Sequence, residues 1–376
     1  MDNIPVFKPL LLEDEFKASN EALENGWLGM GSYVGDFESA MQEFLGAEDR
    51  HCVALSTGHA ALHLGFLLSG AGPGDEIITP SFNNIADFQA IIATRAKPVF
   101  CDIDEKTLCI DLNKAKELIG PKTKAIVGMD YDCLLCDHDG LNTLAEEHGI
   151  RVMHDAAHSF GSTYQGKKVG SFSDLCMFSF DPVKTITCID GGLLVVRSEE
   201  ERRRLHEMRL IGMGQPPEVM YQNKRAWTYG VRSIGFRYHM ANLHAAIGLA
   251  QLKKMDDISR TRRETCIRYN KAFAEFEEII TPQTDFADVT PFLYYVRVPA
   301  DKRDDFRAEL SDRGIDTGIH WQPGHSFELF QDCRRGDLSV TDKIVDEIVS
   351  LPLHSMMTDE TQQRVIEAVV GFFKCE

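Results

Sequence analysis

Long apolar runs are missing from this 376-residue chain. No stretch approaches the ~20 consecutive apolar residues that a membrane-spanning helix needs. The opening MDNIPVFKPL has no basic segment leading into an apolar one, so no secretory signal is expected, and the cytoplasm is the expected compartment. Positive charge is in deficit: Lys+Arg number 40 against 58 Asp+Glu, a formal net charge of -18. A nucleic-acid partner asks for a basic face, so none is expected. Cations are dense only between Arg202 and His239 (Arg202, Arg203, Arg204, Arg209, Lys224, Arg225, Arg232, Arg237). That cluster reads as a solvated face or as the neighbourhood of an anionic small molecule. The 10 cysteines form no disulfide framework. Cys133 and Cys136 make a C-x-x-C with no second pair or matching histidines, so no metal site is expected. Internal repeats and low-complexity segments are also absent.

What is present is an ordinary globular composition, 43% hydrophobic and 26% charged, in a chain long enough for two or three domains. From Cys52 to Val196 short apolar runs alternate with helical patterns. CVALS (52–56), EIITP (76–80), KPVFCDI (97–103), TKAIVGM (123–129), IRVMHDA (150–156), LCMFSF (175–180) and GLLVV (192–196) read as strands. The alternation predicts an α/β fold with a mainly parallel central sheet flanked by helices. After Met240 the pattern turns to one or two long helices. A mixture follows, with a strand at FLYYVRVP and helices at DDFRAELSDRG and TDKIVDEIVSL. Two domains are expected: a large one over 1–250, including the N-terminal segment, and a smaller C-terminal α+β domain over 251–376.

Ligands of parallel α/β sheets bind at the carboxyl ends of the strands. The chemically loaded residues fall there: Ser56 to His59, His154-Asp155, and Ser179 to Lys184. Together they match the needs of an enzyme using pyridoxal phosphate: a lysine to reach the aldehyde, an acid for the pyridine nitrogen, and N–H groups at a helix start for the phosphate. Lys184 reads either as an exposed lysine or as the Schiff-base residue. Asp155 reads as a helix cap or as the partner of the ring nitrogen. Gly58 opens a helix after a strand, which would offer the His59 and Ala60 amides to a phosphate. Ser179 adds a hydroxyl.

The same residues carry a family resemblance. NGWLGMGSYVGDFE (25–38), STGHAALHL (56–64), TPSFNNIADFQAI (79–91), AKPVFCDID (96–104), HDAAHSFGS (154–162), SFDPVKTITCIDGG (179–192), GFRYHMANLHAAIGLAQL (235–252), GIHWQPGH (318–325) and LPLH (351–354) follow one another as in the DegT/DnrJ/EryC1/StrS aminotransferases of sugar biosynthesis, which the chain resembles over nearly its whole length. The resemblance implies a fold-type I aminotransferase with pyridoxal 5'-phosphate on Lys184. It implies that Asp155 meets the pyridinium nitrogen and His158 the ring hydroxyl, and that the amides of His59 and Ala60 and the hydroxyl of Ser179 hold the phosphate. Some relatives have histidine at the Lys184 position and act as dehydratases, so lysine there favours transamination.

Several positions depart from the family pattern. His59 replaces a threonine, Asn84 an aromatic that stacks on the cofactor ring, and Arg237 an asparagine that contacts the phosphate from the neighbouring subunit. His320-Trp321 replaces His-Tyr near the substrate, with His325 close by in sequence. The expected activity is amino transfer, from L-glutamate, to a nucleotide-linked 3- or 4-keto sugar by a homodimer. A lyase or dehydratase on a similar sugar and a non-catalytic cofactor-binding regulator are the alternatives. Two readings compensate for the missing aromatic. Phe88, one helical turn after Asn84, either stacks in its place or is core. In the latter case Asn84 bonds the cofactor or sugar.

Overall fold

The computed structural model describes residues 3–374; residues 1–2 and 375–376, at the outer ends of the two expected domains, lie outside the described residues. Helices α1 (Glu13–Asn25) and α2 (Ser32–Leu45) precede β1 (His51–Leu55). Then α3 (Gly58–Leu68), β2 (Glu76–Pro80), α4 (Ile85–Ala93), β3 (Lys97–Cys101), α5 (Leu112–Leu118), β4 (Thr123–Met129), α6 (His138–His148) and β5 (Arg151–Asp155) alternate. A small hairpin, β6 (Thr163–Tyr164) with β7 (Lys167–Lys168), leads to β8 (Leu175–Ser179) and β9 (Gly192–Val196). After α7 (Glu199–Arg209), β10 (Met213–Gly214) and β11 (Gly230–Val231) flank α8 (Pro217–Tyr221). The chain continues through α9 (Asn242–Leu252), α10 (Met255–Phe273), β12 (Tyr294–Arg297), α11 (Arg303–Asp312), α12 (Ser339–Glu347), β13 (Ile348–Leu351) and α13 (Asp359–Lys374).

Seven strands form the central sheet in the order β1-β9-β8-β5-β4-β2-β3. The run from β8 to β3 is parallel throughout. β9 is antiparallel to both its neighbours. The strands are buried almost end to end, as expected where helices cover both faces. Helix α3 is correspondingly apolar nearly all round, with only the N-terminal His59 and its partly covered Leu67 departing from full burial. No helix among the described residues is long and apolar enough to cross a membrane.

Three expectations change. TDKIVDEIVSL is not one helix: it breaks at Glu347, and Ile348–Leu351 pair with Tyr294–Arg297 as β13. All four residues of β13 are buried, so the β-branched pair Ile348-Val349 serves a sheet rather than a helix face. Residues 4–6 of the N-terminal segment meet the C-terminal part of the chain rather than the large domain, on which α1 and α2 pack. Ile4 bridges Ile315, Ile4 N–H donates to the Gly314 carbonyl at 2.9 Å, and Leu353 N–H donates to the Val6 carbonyl at 3.2 Å. One apolar cluster joins Ile4, Phe82, Tyr131 and Cys133 to Tyr269, Tyr294 and Val365, so the smaller unit packs directly on the strand ends of the larger. The C-x-x-C cysteines are part of that packing, Cys133 and Cys136 both being buried. Finally, the cation-rich stretch is not uniformly a solvated face. Arg202 and Arg203 pair on the surface with Glu199 and Glu200, but Arg209 is fully buried and donates to Glu38, to the Ala54 carbonyl and to Tyr221.

Candidate active site

A cavity of about 570 Å³ opens at the carboxyl edge of the sheet, where the smaller unit covers it. The β1–α3 turn supplies Thr57, Gly58 and His59, and the start of α4 supplies Asn84 and Asp87. Asp155 and His158 follow β5; Ser179, Asp181 and Lys184 follow β8; Phe292, His320 and Trp321 close it from the smaller unit, with Phe7 from the N-terminal segment.

The β1–α3 turn is shaped by a cap and a close approach. Thr57 Oγ1 accepts the Ala60 N–H at 2.9 Å, a standard N-cap bond. A Cβ on Gly58 would stand 2.7 Å from Ser179 Cβ and 2.9 Å from its Oγ, so only glycine lets the helix start sit against Ser179. The cap changes one expectation. The Ala60 amide, assigned above to a phosphate, is already taken by Thr57, and Ala60 does not line the cavity. The first-turn N–H groups of Gly58 and His59 remain for an anion, at the positive end of the helix dipole.

Lys184 hangs from the loop between β8 and β9. Phe180 N–H bonds the Gly191 carbonyl and Cys188 N–H the Phe180 carbonyl, closing the loop at its neck. Asp181 then turns the chain, its carboxylate accepting Val183 N–H at 3.0 Å and its carbonyl accepting Lys184 N–H at 3.0 Å. Lys184 Nζ lies 4.2 Å from the centre of the Phe292 ring. Burial lowers its pKa, against the opposing pull of Asp155, Asp181, Asp132 and Asp87. It is therefore easier to deprotonate than a surface lysine.

Asp155 ends β5 and is buried, its Oδ1 accepting Ala157 N–H at 2.9 Å. Beneath it, the buried Asp130 carboxylate accepts from His154 Nε2 (2.6 Å), His138 Nε2 (2.9 Å), Ser159 Oγ (2.6 Å) and Cys136 N (2.9 Å). Burial alone would raise its pKa, but His154 and His138 hold it well below the usual carboxylate range. His158 Nδ1 lies 3.3 Å from the Asp132 backbone nitrogen and 3.1 Å from its Oδ1, so Asp132 holds that edge of the ring and Nε2 is the other edge. Burial, then the Lys184 charge, push His158 well below its ordinary pKa, so it is neutral. Its ring packs 4.4 Å from Phe292 and 5.7 Å from Trp321, centre to centre.

Gly58, His59, Asn84, Asp155, His158, Ser179, Lys184, His320 and Trp321 thus meet in one cavity. His325 does not. Gly324 N–H bonds the Ser81 carbonyl, and His325 is held outside the cavity between Ser81 Oγ (2.8 Å) and Asp342 (3.1 Å). Arg237 is exposed, bridged to Leu210 rather than turned into its own chain's cavity. Phe88 is core. It is fully buried edge-to-face on Phe100 and Phe330. Asn84 is not in the helix but caps it, its Oδ1 accepting Ala86 N–H at 2.9 Å, so the one-turn geometry invoked for Phe88 does not arise. The cavity's flat apolar surfaces come from Phe7, Phe292 and Trp321 instead.

The sequence profile of the DegT/DnrJ/EryC1/StrS aminotransferase family matches residues 9–370. This chain belongs to that family. The spore coat polysaccharide biosynthesis protein SpsC of Bacillus subtilis is 35% identical over 380 residues, covering 99% of this chain and 97% of that one. Among solved structures, the aminotransferase TlmJ of Streptoalloteichus hindustanus superposes with a TM-score of 0.91 at 32% identity, over 99% of both chains. Helicobacter pylori PseC, an aminotransferase of pseudoaminic acid biosynthesis, gives 0.91 at 26% identity over 100% of both. As a DegT/DnrJ/EryC1/StrS member the chain is an aminotransferase, and enzymes of this family depend on pyridoxal phosphate.

Phe7, Asp87 and Phe292 in the cavity, and Asp132 behind His158, are not among the residues the sequence singled out. Asp132 had a usable signal, since MDYDC lies just past the carboxyl end of β4. Phe7 and Phe292 reach the cavity only through the packing of the smaller unit.

Proposed function

We propose that this aminotransferase binds pyridoxal 5'-phosphate through Lys184 and moves an amino group from L-glutamate to a nucleotide-linked 3- or 4-keto sugar. The observation that carries the reading is that Lys184 and Asp155 line one cavity with the Gly58–Ser179 contact. The residues suit the cofactor: the glycine leaves room that a Cβ would fill, first-turn amides face an anion site, and a buried carboxylate stands ready for a ring nitrogen. When bound, the cofactor supplies an aldehyde and an electron-accepting ring. The chain's own residues do the rest. Gly58 and His59 amides and Ser179 Oγ hold the phosphate. Asp155 keeps a proton on the ring nitrogen by ion pairing. His158 turns its Nε2 edge to the ring hydroxyl. Lys184 Nζ, its basicity lowered by burial, takes and returns the substrate proton. The Trp321 Nε1–H is buried with no acceptor among the described residues, a donor available to a sugar substrate. The sugar pathways named for SpsC and PseC support that substrate class.

The active unit is proposed to be a homodimer in the cytoplasm. Ile211, Trp227, Tyr229, Val231 and Ile234 expose a large apolar area on the 211–234 segment beside Arg237. A second copy covering it would bring Arg237 toward the partner's phosphate site.

The test has two stages. Borohydride treatment of the loaded protein should fix the cofactor on Lys184, located by peptide mapping; an adduct on another lysine refutes the assignment. L-Glutamate with a panel of nucleotide-linked keto sugars should then give 2-oxoglutarate and a product in which an amino group has replaced the keto oxygen of the sugar, read by mass. A product with no added nitrogen that has lost water would replace transamination with elimination.

A further inference from the structure

Asp87 is a buried carboxyl in an unusual setting. It sits in the first turn of α4, in an apolar sequence, IADFQAIIA, where a helix facing a core would carry a small or apolar side chain. It is 0% exposed, it lines the cavity that holds Asp155 and Lys184, and neither carboxyl oxygen has a hydrogen-bond partner among the described residues. A buried carboxylate left in that state is costly. The neighbouring groups explain how the cost is avoided. Asp155 faces Asp87 from the end of β5, Lys184 contributes positive charge from the β8–β9 loop, Asn83 stands beside it, and His59 lies on the adjacent α3. Two acceptors make no hydrogen bond until one of them takes a proton, and two close carboxyls do not both ionise. Asp155 accepts a backbone N–H at 2.9 Å, whereas neither Asp87 oxygen has a donor in hydrogen-bonding geometry among the described residues. Burial, and then the charge of Asp155, raise Asp87 well above the ordinary carboxylate range.

We propose that Asp87 is a neutral carboxylic acid that donates a hydrogen bond to the Asp155 carboxylate, fixing that carboxylate as the single negative charge at the ring-nitrogen end of the site. The positioning role rests on the proposed function, because it takes the cavity to hold a pyridine ring; the protonation of Asp87 does not. Asp87 is thus a positioning residue that acts through Asp155. The pattern is that of paired carboxyls whose environments separate their roles.

Two measurements test it on the full-length protein. First, infrared difference spectra of cofactor-free wild type against Asp87→Asn, at neutral pH, should show the carbonyl stretch of a protonated carboxylic acid in the wild type alone. Absence of that band overturns the proposal. Second, pyridoxal phosphate labelled with ¹⁵N in the ring reports on the bound nitrogen. Asp87→Asn keeps a donor, so it should keep the protonated ring resonance and bind within about threefold of wild type. Asp87→Ala should bind about tenfold more weakly, the worth of one hydrogen bond to a charged group, with the ring resonance moved toward the unprotonated form. Wild-type affinity and an unmoved resonance in Asp87→Ala overturn the positioning role. Should Asp87→Ala fail to fold, the infrared band still decides whether the acid is neutral, and Asp87→Leu, which matches the apolar helix, replaces it in the titration. If wild type shows the band but takes up no pyridoxal phosphate, the cofactor reading fails and the positioning role falls with it, while the neutral Asp87 stands.

Discussion

Acid should weaken this protein through a histidine that does not line the cavity. His354, in the LPLH segment after β13, is buried, and neither ring nitrogen has a hydrogen-bond partner among the described residues. Burial, with the charges of Arg262 and Lys8 adding to it, lowers its pKa from 6.5 to about 4. Between those two values the unfolded chain binds a proton that the folded chain refuses, so stability is full above the unfolded pKa and falls as the pH drops below it. At about pH 5 the unfolded histidine is almost wholly charged and the folded one about one-tenth charged, which amounts to a loss of about 2 kcal/mol relative to pH 7. Urea unfolding of wild type and His354→Gln at both pH values isolates the contribution. Other histidines with lowered pKa, such as His63 and His244, act equally in both proteins and cancel. The wild type should lose about 2 kcal/mol more than the variant on acidification. Equal losses in the two proteins would show that His354 titrates normally and refute the reasoning. His320 carries a similar shift, to about 4, but it lines the cavity near Lys184, so its contribution should depend on what fills the site.

Two further outcomes concern the cradle and its support. Gly58→Ala places a Cβ 2.7 Å from Ser179, so one side of the contact has to move; overpacking of this kind costs about 1–3 kcal/mol, and pyridoxal phosphate affinity should fall at least about tenfold in an absorbance titration. Unchanged affinity would remove the Gly58–Ser179 contact from the phosphate site. Asp130→Asn leaves His138 and His154 facing an amide in a fully buried pocket, and chemical denaturation should show a loss of about 2–3 kcal/mol, with no loss counting against the network.

The parts of the site that could be read from sequence share one property: each sits at a strand end. Lys184, Asp155, Gly58 and Ser179 follow β8, β5 and β1, and a parallel sheet gathers such ends on one edge whatever the order of its strands. What the sequence hid depended on pairing across long separations. β9 lies between β1 and β8 and runs antiparallel to both; no helix separates it from β8, and the apolar pattern of GLLVV carries no information on direction. Residues 4–7 belong with the smaller unit because Ile4 meets Ile315, a contact that no local pattern encodes.

Helix α4 is instructive because the sequence contained the choice between two readings. Reading NNIADFQAIIATR as helix from its first residue puts Asn84 and Phe88 on one face and makes stacking one of the two roles open to Phe88, the other being core, which is the one observed. Asparagine followed three residues later by an acid is an N-terminal signature, and the helix does begin after Asn84, at Ile85. With the start moved, Phe88 falls among Phe100 and Phe330, and the side chain delivered to the cavity is Asp87. An acid three residues past a cap normally faces solvent and favours the helix dipole, so Asp87 carries no site signal in the sequence by its position alone. Its apolar flanks, Ala86 and Phe88, were the counter-signal. A lone carboxyl within a helix that has an apolar face toward the core is either a folding liability or part of a site, and its place beside Asp155 supports the second. Asn84, where the family resemblance leads one to expect a stacking aromatic, caps the helix; the cavity's flat surfaces are those of Phe7, Phe292 and Trp321, and the first turn of α4 brings an acid, Asp87, to the cavity.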